Sequence, residues 1–181
     1  IFDDQQSAIV LARLAPGDMD DSGTISARRP GGEVAATSYA TIEEIKADLC
    51  RDTLTVQDTA VPLSVSGITT TTVLIHAIHA TTTITSAAAE IDVAVHNTAD
   101  RVDTIDAALL VDGSDGGKIR LMVRETGAAL DRAVELVTGT IGGLDLPGQV
   151  IYRALDEFEL QLGGGHDAVV VTDPAAERTI V

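Results

Sequence analysis

The chain has 181 residues, 45% of them hydrophobic, enough to bury one core of ordinary domain size and to exclude wholesale disorder. Against 12 basic residues stand 28 acidic ones, a formal charge of -16, and Lys46 and Lys118 are the only lysines. Phosphate binding needs clustered Lys and Arg, and no apolar run reaches the roughly 18 residues of a membrane span, so neither a nucleic-acid partner nor membrane insertion is expected.

A carboxylate coat of this density repels itself in dilute buffer. At about 1 M salt the Debye length falls to roughly 3 Å and the repulsion is largely screened. The composition therefore points to a salt-adapted protein from a halophilic source.

Residues 1 to 50 are expected to form an N-terminal arm. Gln5 to Leu14 carries Ile9, Val10, Leu11 and Leu14 between polar residues, a short helical pattern that stops at Pro16-Gly17. The stretch from Gly17 to Gly32 reads as loop. Within it Asp18-x-Asp20-x-Ser22-Gly23-x-Ile25 matches the first half of an EF-hand-like calcium loop, with oxygens at positions one, three and five and the turn glycine at six. Asp18, Asp20 and Ser22 are the candidate calcium ligands, although position twelve is Arg29 where a bidentate Glu would be needed; the other reading is a solvated acidic turn. Thr41 to Leu49 follows, with a capping box in Thr41 and Glu44 and with Ile42, Ile45 and Leu49 on one face; a second short helix is expected. Cys50, the sole cysteine, forms no intrachain disulfide and reads as a small buried apolar residue.

Residues 51 to 181 read as one β-domain. Leu54 to Val56 and Leu63 to Val65 alternate, Thr69 to Thr85 is rich in β-branched residues, and Ile91 to Val95 is the clearest alternating strand. Ala107 to Asp112 leads through Gly113-Ser114-Asp115-Gly116-Gly117 into Lys118 to Val123, which reads as a hairpin and an antiparallel pair. Thr126 to Thr138 is expected as a helix, with a loop entering a strand at Val134 to Val137 as the other reading. Strands follow at Val150 to Leu162 and Ala168 to Val171, and no long-period repeat is apparent. Short strands at fairly regular spacing predict a mainly β fold, a jelly-roll or Ig-like antiparallel β-sandwich behind the arm.

Catalytic patterns are missing. There is no Gly-x-Ser-x-Gly elbow, phosphate-binding loop or dinucleotide fingerprint. His76-x-x-His79 would share a face on a helix and suit zinc, but on a strand that spacing sends the rings to opposite faces. The acid pairs Asp156/Glu157 and Asp103/Asp106 read as solvated surface, and the scarcity of aromatic residues argues against a ligand pocket.

The stretch Glu90 to Gly113, with the turn Asn97-Thr98-Ala99-Asp100 and the segment Leu110-Val111-Asp112-Gly113, resembles Ig-like surface modules of the CARDB type. The whole chain, acidic, Thr/Val/Ala-rich, poor in lysine and aromatics and with an arm before a β-domain, resembles coat or tail proteins of haloarchaeal viruses. That resemblance implies a non-catalytic virion structural protein without a cofactor, whose partners are copies of itself and other virion proteins. The alternatives are an Ig-like adhesion or surface-layer module outside a halophilic cell, and a small metal-binding protein.

Overall fold

The computed structural model describes residues 8–11, 22–28, 34–40, 44–49, 53–67, 69–87, 89–172 and 176–181. Among them no helix forms; the elements are strands β1 (Ala8–Leu11), β2 (Ser22–Arg28), β3 (Val34–Ala40), β4 (Ile45–Leu49), β5 (Thr53–Val56), β6 (Leu63–Gly67), β7 (Thr71–Ile75), β8 (Thr82–Ser86), β9 (Glu90–Val95), β10 (Ala108–Asp112), β11 (Lys118–Glu125), β12 (Ala133–Val137), β13 (Thr140–Gly142), β14 (Gln149–Arg153), β15 (Leu155–Leu162), β16 (Ala168–Val171) and β17 (Ala176–Ile180).

They fall into a nine-stranded sheet, in the order β17-β15-β11-β9-β7-β5-β1-β2-β3, and an eight-stranded sheet, in the order β16-β12-β13-β14-β10-β8-β6-β4. From β4 to β11 successive strands alternate between the sheets, and each of β4 to β9 pairs in parallel with the strand two places on. The chain is thus a flattened coil with one sheet on each side, a two-sheet parallel solenoid. The coil is about 20 residues long at Leu54, Val73 and Val93 and widens toward Leu121 and Phe158, residues that occupy one row across the nine-stranded sheet.

The expected mainly β fold holds, but its antiparallel sandwich pairing is corrected. The pairings are parallel except for β1/β2, β2/β3, β12/β13 and β13/β14. The supposed hairpin at Gly113 to Gly117 is a corner: β10 lies in the eight-stranded sheet and β11 in the other. The reason lies in the backbone donors. Gly117 N–H goes to Ser86 O at 3.1 Å and Lys118 N–H to Ala89 O at 2.8 Å, so this corner stacks on the one below it. The lower corner is closed by Ser86, whose hydroxyl donates to Ala89 O at 2.7 Å.

The two arm helices are likewise not seen. Ile45–Leu49 is strand β4, and of the Gln5 to Leu14 pattern the described part, Ala8–Leu11, is strand β1. Ile45 and Leu49 are both buried, and a spacing of four residues suits one face of a strand as well as one face of a helix. Part of the presumed loop from Gly17 to Gly32 is strand β2. Strand β1 pairs in parallel with β5, and β4 with β6, so the first 50 residues contribute to both sheets.

The helix expected over Thr126 to Thr138 is also replaced. Ala133–Val137 is strand β12, turned back onto β13 at Thr138-Gly139, where both residues have positive φ, 46° and 71°. That is the signature of a primed two-residue hairpin.

Alternation decides what each strand buries. Leu54, Val73, Val93, Leu121 and Phe158 point inward from one sheet toward Val65, Ile84, Val111 and Tyr152 of the other, and all are buried. Burying such a side chain stabilises the fold by roughly 1.5–3 kcal/mol each. In the wider coils Tyr152 and Phe158 stack with centroids 4.8 Å apart, filling space with rings that aliphatic residues fill elsewhere.

Candidate functional site

Of the expected calcium ligands, Asp18 and Asp20 lie outside the described residues, as does Cys50, and Ser22 opens β2, where it pairs with Ala40. The histidines can be placed. His76 and His79 follow β7 at a corner of the coil and His96 follows β9 at the same corner one coil on. His76 Nδ1 lies 2.7 Å from His96 O, and the two rings meet edge to face at 5.7 Å. His79 points elsewhere: its Nδ1 lies 2.6 Å from Asp106 and its Nε2 3.2 Å from Asp58. The backbone sets this up, since His79 N–H donates to Thr59 O and Asp106 N–H to Ile78 O, stacking the three corners. The ring nitrogens thus face carboxylates on opposite sides and cannot converge on one ion. Among the described residues no group of three His, Cys, Asp or Glu side chains is placed to hold a metal. His166 is exposed near Asp131.

A second polar cluster escaped the sequence reading. Glu125, at the end of β11, is fully buried. Its Oε2 accepts Val102 N–H at 2.7 Å, and its Oε1 lies 3.3 Å from Arg132 Nη2 and 3.9 Å from Arg101 Nε. Arg132 Nη2 also reaches Asp145 at 2.8 Å, and Arg101 pairs with Asp103. One buried carboxylate therefore ties together three connections that carry no regular structure. Such a network fixes loops; it offers no open position for a reacting group.

Outward-facing charges are ordered by strand register. Asp92, Arg120, Glu157 and Arg178 occupy one row on successive strands and alternate in sign, with Arg120 3.9 Å from Asp92 and Arg178 3.2 Å from Glu157. On the other sheet Asp112 and Arg153 are directly paired neighbours, and Arg153 donates to Asp112 at 2.5 Å. This bond, joined by the N–H and hydroxyl of Ser114, brings the Asp112 carboxyl down to about 2. Asp156, read as solvated, accepts Ile119 N–H at 2.9 Å and so anchors the start of β11.

No known protein family, curated protein or solved structure matches this chain.

What the residues themselves offer is a surface. Strand β16 is the outer strand of the eight-stranded sheet, reads Ala-Val-Val-Val, and leaves Val170 55% and Val171 45% exposed. Val137 on the adjoining β12, Leu130 in the connection before it, and Val181 beside β17 are also exposed. Among the residues whose side-chain burial is described, from Glu44 on, these five are the exposed large hydrophobic residues, and they lie at the end of the coil where β16 and β17 close the two sheets. The sequence reading found β16 as a strand; its position at an edge depends on pairing with β12, which no local pattern encodes.

Proposed function

We propose that this chain is a non-catalytic structural subunit of a halophilic virus particle, in the capsid or the tail, and that it works through contacts with other subunits. The observation that carries this reading is the uncharged valine edge β16 on a chain whose net charge is -16. Edge strands of monomers are ordinarily blunted by lysine, proline or a bulge, because unpaired strand backbone invites another chain. An unprotected apolar edge is costly unless something covers it. The acidic remainder keeps such a subunit soluble and lets assembly proceed where dense electrolyte screens the carboxylates.

The test is to purify the chain, measure its mass by light scattering as salt is raised, and probe purified halophilic virus particles with an antibody raised against it. Labelled particles together with self-association or particle binding in molar salt support the reading. A chain that stays solitary at every salt concentration and labels no particle rules it out.

A further inference from the structure

We propose that two copies of this chain join edge to edge, β16 against β16 and β17 against β17, about a dyad normal to both sheets. This rests on reading the chain as an assembly subunit and names the partner at its apolar end. Both sheets terminate together there, with β16 ending one and β17 the other. A rotation axis normal to the sheets carries each sheet onto its own continuation, so one operation extends both ladders, with antiparallel pairing across the seam.

Charge decides against most other ways for two copies to meet. Each carries -16, and a contact through the carboxylate coat would set like charges opposite one another. Strand β16 has no charged residue, and β17 has one acid and one base, Glu177 and Arg178. Among the residues whose side-chain burial is described, the exposed large apolar side chains lie at this end, so joining it to itself covers Val170 and Val171 of both copies at once.

The opposite edge of the eight-stranded sheet is a poor match for β16. There β4 presents Lys46, 74% exposed and paired with Glu44 at 3.4 Å. That is the charged kind of edge that resists strand addition. Head-to-tail stacking would set valines against this ion pair, whereas the dyad sets valines against valines.

The experiment is light scattering over a salt series, with three single-cysteine variants, Val169→Cys, Val170→Cys and Val171→Cys, each in a Cys50→Ser background, oxidised in molar salt beside the parent chain. The parent chain is expected to have the mass of two copies in molar salt and to dissociate as salt is lowered. At least one of the three variants should form a disulfide-linked dimer that the parent does not. Val170→Lys should be monomeric at every salt concentration with an unchanged circular dichroism spectrum, and Val170→Thr should still dimerise. Masses larger than a dimer with no cysteine cross-link would overturn the dyad while leaving the assembly reading in place. A dimer that survives Val170→Lys would overturn the site, and a parent chain monomeric in molar salt would overturn both.

Discussion

Arg132 reaches Glu125 at 3.3 Å in the interior of the protein, and the same Nη2 lies 2.8 Å from Asp145 at the surface. The guanidinium thus links a fully buried carboxylate to one that solvent can reach.

Removing the arginine leaves the buried Glu125 carboxyl without its nearest cation. Arg132→Met is expected to cost about 3–5 kcal/mol in urea unfolding. Adding Glu125→Leu to that variant should recover much of the loss, because a buried pair replaced by apolar groups is often close to neutral. If the double variant is no more stable than the single one, Glu125 and Arg132 do not act as a unit.

The Asp112–Arg153 pair fixes an acid-side dependence. The Asp112 carboxyl is lowered from 3.8 to about 2 in the folded chain. Its contribution is therefore complete above about pH 4 and is lost as pH falls toward 2, since the unfolded chain takes up the proton first. Arg153 is exposed, so solvent screens the pair and leaves only a small contribution. Asp112→Asn should be slightly destabilised at neutral pH, and the gap should close by about pH 2 in parallel denaturation curves.

Thr138 is β-branched yet sits at φ 46° in the β12/β13 turn. Asn accepts that conformation more readily, so Thr138→Asn should raise stability by about 0.5–1 kcal/mol, read as a higher melting temperature. The residue is exposed, so packing should not obscure the effect.

Two glycines in the coil should respond differently to a methyl group. At Gly117 a Cβ would overlap both the hydroxyl and the carbonyl oxygen of Ser86, and backbone cannot give way cheaply. At Gly67 it would press on the Cδ1 end of Ile91, which can turn aside. Gly117→Ala is expected to cost more than about 2 kcal/mol and to resist rescue by Ser86→Ala; Gly67→Ala should cost less and be eased by Ile91→Val.

The strands were legible wherever residues alternate, as in Ile91 to Val95 and Lys118 to Val123, because the period of two is written locally. Pairing was not. Gly113 to Gly117 has the composition of a hairpin, and only the acceptors on Ser86 and Ala89, a coil away, make it a corner. Widely unequal connections between strands also hid the repeat, since the interval from Val93 to Leu121 exceeds that from Val73 to Val93. Ile45 and Leu49 fit either period, and local spacing alone does not choose between helix and strand there. For the candidate surface, the Ala-Val-Val-Val segment was visible, whereas its exposure follows from its place at an edge. The Glu125 cluster joins residues that no motif connects, and the suggested ligands Asp18 and Asp20 lie outside the described residues.

The mostly nearest-neighbour pairing of coils bears on how the molecule comes apart. A strand held on both sides by parallel neighbours, such as β9 between β7 and β11, cannot open before one of them does, while β16 and β17 each have a single neighbour. Cooperativity is then short-ranged along the stack, and loss of structure travels inward from an end as fraying. Amide exchange should be faster in β16 and β17 than near β9, a gradient that covering the valine edge would flatten from one side.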